Sequence, residues 1–300
     1  MDMIGYQSTP LSKSEQEFKF AFVGYADILG FAKMLKEPNR KKTIVEAYSQ
    51  IRDLLQKGES TEFPIKVGTL SGSGNLVGTP WYHIISIDST KIFMLSDSIF
   101  FIIIPDRDAS EIRSHYGLAS VQLMSRILSI CWHFNLPARG ALSDGKVYFD
   151  SDKSMFIGEP IVHAVRWEAV QSFVWFSAEP TSWLAQNVYN HPNARIGKEI
   201  FQIKIEKTNY NSDRLKTFEG DCGKINIDST FTCGPDLTFE LNEESSNENA
   251  RNFLFLSPDE IFVRFDHYRN LQESKEKRYW KNTEDLFRKM GFTKDNFGTP

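Results

Sequence analysis

The sequence predicts an α+β fold in which helices pack on a mainly antiparallel sheet. Short apolar runs typical of strands are interspersed with longer segments whose apolar residues recur at helical spacing, in the order strand, helix, hairpin, helix, strand. Two neighbouring strand-like runs are joined by a short Asp-Ser-Thr turn, which indicates antiparallel pairing. With 41% hydrophobic and 25% charged residues in 300, the composition is that of an ordinary globular protein.

The first predicted strand and the helices after it lie between residues 18 and 58. FKFAFVGYADI is an almost continuous apolar run and predicts a buried strand. The segment from Gly30 to Gly58 predicts one or two amphipathic helices, with the stretch from Pro38 to Lys42 as an interruption.

The middle of the chain predicts a hairpin, a long helix, a strand and a second helix. Residues 81–88 and 91–104 predict the two hairpin strands, and the second carries an acid, Asp97, in its middle. SEIRSHYGLASVQLMSRILSICWHFN predicts a helix, and LPARGALSDGKVYFD predicts a strand and a glycine-containing turn. A further helix is expected to begin near Pro160.

Beyond about residue 195 the sequence changes character. KEIFQIKIEK and NFLFLSPDEIFVRF predict strands, LNEESSNENA predicts a polar loop, and residues 266–290 predict a charged amphipathic helix. We therefore expect an N-terminal arm (1–17), a first domain (18–195) and a C-terminal α/β extension of unassigned role (196–300).

Charge and cysteine usage argue against several classes of function. A net charge of −4 and a pI near 5.9 give no broad positive field for a nucleic acid polymer. Three widely spaced cysteines predict neither a disulfide framework nor a paired zinc motif, which favours a reducing compartment. No apolar run reaches the roughly 18 residues that cross a bilayer, so we expect a cytoplasmic chain that does not enter a membrane.

Two acids lie where apolar strands are expected to be buried. Asp27 ends the first strand, directly before a Gly-Phe turn at which a helix begins, and unpaired N–H groups at such a start can bind a polyphosphate. Asp97 stands in MLSDSIFF between apolar residues. On neighbouring strands the two carboxylates can share Mg²⁺ or Mn²⁺, since hard cations prefer oxygen ligands. The alternative is that each is a turn or bulge carboxylate that accepts backbone N–H groups.

Four segments resemble, in the right order, the motifs of class III nucleotide cyclases, and together they span roughly residues 18 to 180. AFVGYADILGF resembles the first metal-binding strand, with its Asp-Ile-x-Gly-Phe pattern, and MLSDSIFF resembles the hairpin strand that carries the second metal acid. RGALSDGKV is similar to the Gly-Ile-His-x-Gly-x-Val strand and turn. IGEPIVHAVRWEAVQ is similar to the helix written Gly-x-x-Val-Asn-x-Ala-x-Arg-Leu-Glu. The resemblance implies that the first domain is a cyclase domain.

The resemblance also implies a two-metal site. Asp27, the Ile28 carbonyl and Asp97 would hold two Mn²⁺ or Mg²⁺ ions, which stabilise the attacking and the leaving oxygen of an in-line displacement at phosphorus. The product would be a 3′,5′-cyclic nucleotide, released together with pyrophosphate. The phosphate-binding turn would consist of Leu29, Gly30 and Phe31.

Arg166 matches the family arginine that stabilises charge in the transition state, because Arg-Trp-Glu stands here for Arg-Leu-Glu. In this register Val162 occupies the position of the family's asparagine. The alternative for Arg166 is a surface arginine paired with Glu168 or Glu159. In the family the metal acids come from one subunit and the arginine from the other, so the resemblance implies a homodimer with composite sites.

Two phenylalanines stand where adenylate cyclases of this class read adenine. Counted from Asp97, the family's lysine position is Phe93, and counted from Arg166, its acid falls near Phe156. Neither side chain exchanges hydrogen bonds with a base edge, which argues against adenine and guanine. Tyr48, on the helix after the first strand, would either narrow the base pocket or belong to packing.

In departing from the purine-reading residues at these two positions, the chain resembles the bacterial pyrimidine cyclases of Pycsar antiphage defence. That resemblance implies UTP or CTP as substrate, and a cyclic UMP or cyclic CMP product that signals to a separate effector protein. Two alternatives stay open: an adenylate cyclase with an atypical base pocket, and an inert cyclase-like module that binds a nucleotide or a partner protein. The sequence does not choose between UTP and CTP, because a single contact distinguishes a keto oxygen from an amino group.

Overall fold

The computed structural model describes residues 18–56, 62–70, 76–86, 90–105, 110–150, 155–187, 210–222, 232–233, 263, 265–266 and 275–289. The strands are β1 (Lys19–Ile28), β2 (Glu62–Leu70), β3 (Leu76–Ser86), β4 (Thr90–Leu95), β5 (Ser98–Ile103), β6 (Ala138–Asp150), β7 (Met155–Gly158), β8 (Phe176–Ala178) and β9 (Thr232–Cys233). The helices are α1 (Phe31–Met34), α2 (Pro38–Gln56), α3 (Ser110–His133), α4 (Glu159–Val170), α5 (Trp183–Asn187), α6 (Ser212–Cys222) and α7 (Lys275–Lys289).

Seven of the described strands form one sheet. Its strand order is β4-β5-β1-β6-β8-β9, with β7 added beside β6. Neighbouring strands run antiparallel, except that β6 and β8 run parallel. β2 and β3 form a second, two-stranded antiparallel sheet. The result is a mixed sheet of antiparallel and parallel strands with packed helices, in agreement with the predicted combination of elements.

Strand β1 lies inside the sheet and is covered on both faces. Phe22 and Ala26 belong to a hydrophobic cluster on one face, whereas Val23 and Tyr25 belong to a cluster on the other. Because side chains alternate across a strand, burial on both faces requires the near-continuous apolar run seen in the sequence. Asp27 continues the series of Val23 and Tyr25, so it lies on the second face.

Helices α2 and α3 cover the first face of the sheet. In α2 the buried residues Ile44, Ala47 and Ile51 recur at the spacing of a helix, which gives this helix one apolar stripe. In α3 the burial is broader, and Ile127 and Leu128 are fully buried. The long apolar sequence of α3 therefore corresponds to a helix that is buried on most sides.

Helices α4, α6 and α7 contribute to the second face. The ring centroid of Trp167 in α4 lies 5.2 Å from that of Phe218 in α6. Trp280 of α7 lies 5.0 Å from Trp132, near the end of α3. α6 and α7, both beyond residue 195, thus pack into the same hydrophobic cluster as α4. The boundary at residue 195 stays a prediction.

The predicted hairpin between residues 81–88 and 91–104 is wrong. β3 pairs with β2 instead, and the run 91–104 divides into β4 and β5 around a two-residue turn at Ser96 and Asp97. Ser96 has φ of 58°, the left-handed conformation that tight hairpin turns require. Asp97 therefore lies in a turn and not in the middle of a strand.

Two further boundaries differ from the predictions. α2 begins at Pro38, where the sequence predicted an interruption, because proline is tolerated in the first turn of a helix. β6 runs unbroken through Gly145, where a turn was predicted, and Gly145 has φ of 149°, which glycine adopts without strain.

Several predictions concern segments at the C-terminal side. The predicted strand at 198–207 and most of the one at 252–265 lie outside the described residues. Of the predicted helix at 266–290, residues 275–289 form α7, and α6 was not predicted. Within the described ranges, no helix combines the length and the apolar character that a bilayer-crossing helix needs.

Candidate functional site

Asp27 and Asp97 meet at one end of the sheet. Asp27 is the penultimate residue of β1 and is paired in register with Ser98 of β5. The backbone N–H of Ile28 donates to the carbonyl oxygen of Asp97, at 2.9 Å. Both aspartates are partly exposed. The fold thus brings together two acids that are seventy positions apart in the chain, one at the end of β1 and the other in the turn between β4 and β5.

The chemistry of this pair fits a hard divalent cation. Mg²⁺ is typically bound through one or two carboxylates, while water and substrate phosphates complete its coordination. Among the described residues, no group of three or more His, Cys, Asp or Glu side chains is arranged to hold a metal. A cation at Asp27 and Asp97 would therefore need additional oxygens, from water in the free protein and from a triphosphate in its complex.

The turn after β1 is shaped by Gly30. Gly30 has φ of 74° and precedes α1, and the N–H of Leu29 donates to the carbonyl of Pro137 at 2.7 Å. α1 has only four residues, so its dipole adds little to what the backbone N–H groups of this turn offer a phosphate. The Phe31 side chain is buried and its ring lies 6.4 Å from that of Tyr48, so only the backbone of Phe31 can face a ligand.

The two phenylalanines at the predicted base-reading positions contact each other. The ring centroids of Phe93 and Phe156 are 4.8 Å apart, with an interplanar angle of 29°. Phe93 is paired in register with Phe100, which is itself paired with Tyr25. Because residues paired in register share a face, this aromatic group lies on the same face of the sheet as Asp27.

Tyr48 contacts the turn that carries Asp97. Its hydroxyl on α2 donates a hydrogen bond to the carbonyl oxygen of Ser96. Burial raises the pKa of Tyr48 well above its usual value, so the hydroxyl remains a donor at neutral pH. This contact links α2 to the β4–β5 hairpin and holds the Ser96–Asp97 turn in place.

Arg166 is not brought to the two acids within one chain. Its Nη1 lies 3.0 Å from Oδ2 of Asp221 on α6, and both side chains are about half exposed. The partners proposed from the sequence, Glu159 and Glu168, are not the ones found. Val162, one turn before Arg166, is 47% exposed.

A groove of about 630 Å³ lies between β7 and α4. Phe156 lines it from the β7 side, and Val162 and Arg166 line it from α4. Ile157, which is 54% exposed, adds to its apolar rim. The groove therefore joins one predicted base-pocket residue to the predicted transition-state arginine.

A buried ion pair beside Asp27 was not predicted. Arg139 of β6 is paired in register with Asp27, and its guanidinium is ion-paired with Glu168 of α4. Burial raises the pKa of Glu168 to about 7, Arg139 opposes that rise, and the charge of Asp27 adds to it. The signal was present in PARGALSDG, where one cation opens an otherwise apolar strand.

A second cleft, of about 580 Å³, lies at the other end of β6. Asp144 accepts the N–H groups of Trp183 and Leu184, at 3.0 and 2.7 Å, and so caps α5. Burial raises the pKa of Asp144 to about 6 in spite of these two hydrogen bonds. His163 in the same cleft lies 3.9 Å from the buried carboxylate of Glu179.

Comparisons with known proteins give matches among solved structures alone. No protein-family model matches the chain, and no curated protein matches it. Among solved structures, the chain is similar to one described as "Crystal structure of the guanylyl cyclase Cya2". The match has 8% sequence identity and a TM-score of 0.38, and covers 77% of this chain and 98% of the other. A match this weak does not assign the chain to a family.

Proposed function

We propose that the protein is a nucleotide cyclase that converts UTP or CTP to the 3′,5′-cyclic monophosphate and pyrophosphate. The observation that carries the proposal is the proximity of Asp27, at the end of β1, to Asp97, in the β4–β5 turn: Asp27 is paired with Ser98, and the N–H of Ile28 donates to the carbonyl of Asp97. The aromatic pair of Phe93 and Phe156 on the same face of the sheet supports a nucleotide as the ligand.

In this proposal the end of the sheet holds the triphosphate. Asp27, the Ile28 carbonyl and Asp97 would bind divalent cations, which lower the charge of the phosphates and activate the ribose 3′-hydroxyl. The backbone of residues 29–31 would face the phosphates. The 3′-oxygen forms a bond to the α-phosphorus, the bond from that phosphorus to the pyrophosphate oxygen breaks, and the hydroxyl proton passes to solvent.

The base preference follows from what Phe93 and Phe156 lack. A site that reads adenine needs a donor and an acceptor for the base edge, and two phenyl rings provide neither. Rejection of a base that needs such partners is strong, because its polar groups would be buried without hydrogen bonds. Because the two rings are stacked on each other, a base would lie against the pair and not between its members, and we propose a pyrimidine, read by other contacts, as that base.

Arg166 is proposed to act from a second copy of the chain. Within one chain it points towards Asp221, but it lines the same groove as Phe156. A homodimer with two composite sites would place the Arg166 of one copy against the phosphates bound by the other. The cyclic product would then signal to a separate effector protein, in a role in antiphage defence.

One experiment tests this function directly. Purified protein is incubated with Mn²⁺ and each of ATP, GTP, CTP and UTP, and products are identified by mass spectrometry. We expect cyclic UMP or cyclic CMP, and we expect Asp27→Ala and Asp97→Ala to reduce turnover by at least about 100-fold, since each removes a metal ligand. The matched control is Asp213→Ala, at an exposed acid in the first turn of α6.

The outcomes separate the alternatives. Cyclic AMP as the main product would replace the pyrimidine proposal with an adenylate cyclase. The pairing of Arg166 with Asp221 favours the inert binding module, because it occupies the one arginine assigned to the transition state. Tight nucleotide binding without any cyclic product would support that module and end the proposal of catalysis.

A further inference from the structure

The ion pair of Arg139 and Glu168 is almost completely withdrawn from water. Each side chain is only 5% exposed. Nη1 of Arg139 donates to the carbonyl of Gln171 at 2.9 Å and to the hydroxyl of Tyr279 at 3.1 Å. The guanidinium carbon also lies 5.1 Å from the centre of the Tyr279 ring. The cation thus has a carboxylate, a carbonyl, a hydroxyl and an aromatic face around it.

The ion pair of Arg139 and Glu168 lies next to Asp27. Arg139 and Asp27 are paired in register on antiparallel strands. Residues paired in this way have their Cβ atoms about 5 Å apart on the same face of the sheet. Glu168 belongs to α4, which packs on that face. The Arg139–Glu168 ion pair therefore lies beside Asp27 on one face of the sheet.

Tyr279 connects the C-terminal segment to this environment. It lies on α7, 140 positions beyond Arg139. It is buried, with 4% of its surface exposed, and it belongs to the hydrophobic cluster beneath α4. α7 therefore supplies both the hydroxyl that accepts from Arg139 and the ring against which the guanidinium lies.

We propose that Glu168 and Tyr279 are positioning residues that hold the Arg139 guanidinium on Glu168 and so set the affinity of the Asp27 site for divalent cations. This inference rests on the proposed function, because it places a cation at Asp27. It also assigns a role to α7, whose Tyr279 holds Arg139 in place beside the proposed metal ligand Asp27.

The physical reason is charge balance at short range. Paired with Glu168, Arg139 adds no net charge beside Asp27. Without Glu168, an uncompensated positive charge stands one strand away from the cation and repels it in a partly dehydrated region. Without the Tyr279 hydroxyl, one buried guanidinium N–H loses its acceptor, and the group reorients towards the remaining oxygens, including those of its cross-strand neighbour.

The test measures Mn²⁺ binding without substrate. Mn²⁺ alone is titrated into wild-type protein and variants, and the free ion is followed by its electron paramagnetic resonance signal. We expect Glu168→Gln to raise the dissociation constant for Mn²⁺ by about tenfold and Tyr279→Phe by about threefold, in line with one unit charge and one hydrogen bond respectively. In turnover assays the Mn²⁺ concentration for half-maximal rate should rise likewise, while the rate at saturating Mn²⁺ changes less.

Two controls make the result specific. Thr283→Val removes another buried hydroxyl of α7, one that accepts the N–H of Val174 at 2.7 Å, donates to the backbone carbonyl of Tyr279 at 2.8 Å and has no hydrogen bond to Arg139. It should lower the thermal midpoint about as much as Tyr279→Phe and leave Mn²⁺ affinity unchanged. Asp27→Ala should abolish the measured binding, which verifies that the titration reports on this site.

Each outcome decides between the two proposals. Mn²⁺ binding that is unaltered by Asp27→Ala would overturn the metal site, and with it both the proposed function and this inference. Binding that is lost in Asp27→Ala but equal to wild type in Tyr279→Phe would overturn the inference alone. The latter variant keeps the test valid if Glu168→Gln fails to fold, since it retains the ring and the ion pair.

Discussion

At the scale of single residues, the two proposed metal acids are held by different kinds of structure. Asp27 takes its position from β1, which is paired on both sides and buried on both faces. Asp97 takes its position from a two-residue turn, fixed by the hydrogen bond from Ile28 and by the contact of Tyr48 with Ser96. Asp97 therefore has fewer constraints, and its placement depends more on single contacts.

Tyr48 tests that dependence. Tyr48→Phe removes the hydroxyl that donates to the Ser96 carbonyl and leaves the ring in place. Loss of one such hydrogen bond costs about 1 kcal/mol of stability, a small change in the thermal midpoint. We expect turnover to fall several-fold in spite of this small loss of stability, because the turn that carries Asp97 is no longer fixed. Equal activity of variant and wild type, measured at saturating Mn²⁺, would contradict this role.

Asp144 gives a prediction about pH. Its pKa is raised to about 6 in the folded protein, against an ordinary value near 3.8, chiefly because the carboxyl is buried. Between these values the unfolded chain has released the proton while the folded chain retains it. The stability contributed by the protonated carboxyl is thus present below about pH 4 and declines as the pH rises through 6.

Asp144→Asn isolates this effect. The amide keeps an oxygen that can cap α5 but does not ionise. We expect the loss of stability of the wild type between pH 4.5 and 6.5, measured by urea unfolding, to be smaller in the variant by no more than about 3 kcal/mol. An identical pH dependence in the two proteins would show that Asp144 has an ordinary pKa.

At the scale of elements, close backbone packing positions β6 beside β1. A Cβ added at Gly140 would lie 2.6 Å from the carbonyl oxygen of Tyr25, which is backbone and cannot swing aside. Gly140 is next to Arg139, so this close approach also determines how near the ion pair lies to Asp27. Gly220 in α6 offers a contrast, since nothing lies within 4 Å of its added Cβ.

These two glycines form a matched pair of substitutions. Gly140→Ala should destabilise the protein by about 1–3 kcal/mol, because the sheet must shift to admit the methyl group. Gly220→Ala should stabilise it by about 0.5–1 kcal/mol, because alanine loses less backbone entropy in a helix. Chemical denaturation of both variants measures these differences. Destabilisation by Gly220→Ala would indicate that α6 is not packed as described.

At the scale of the whole molecule, the groups assigned to catalysis lie at two separate places in one chain. The acids lie at the end of β1, while Arg166 lies on the outer side of α4, next to the groove between β7 and α4. Partly exposed apolar side chains, Ile157 and Val162, surround that groove. A second copy seated there would bury these side chains and bring its own acids to Arg166.

Complementation between inactive variants tests the composite site. Asp27→Ala and Arg166→Ala should each be inactive alone. Random exchange in an equal mixture yields heterodimers that carry one intact site, and about a quarter of the wild-type activity should return. A mixture that stays inactive after subunit exchange, verified by differently tagged copies, would contradict a site shared between two chains.

Local patterns predicted several parts of this protein correctly. The burial of β1 follows from its continuous apolar run, and the position of α4 follows from the helical spacing of its apolar residues. The proximity of Asp27 and Asp97 was expected from the resemblance of their segments to cyclase motifs, whereas Asp97 was expected inside a strand and lies in a turn. Both Phe93 and Phe156 were assigned to the base pocket, but their stacking on each other was not predicted. Spacing along the chain does not report contacts between strands.

The sequence by itself determined which segments are apolar, that α3 and α4 are helices, and that Asp27 ends β1, because these properties depend on neighbouring residues alone. Only the tertiary structure decided that β3 pairs with β2, that Arg166 meets Asp221, and that Arg139 is enclosed by Glu168 and Tyr279. Those contacts depend on which surfaces remain to be buried once the sheet has formed. They join residues as far apart in the chain as Arg139 and Tyr279, which local sequence patterns do not relate.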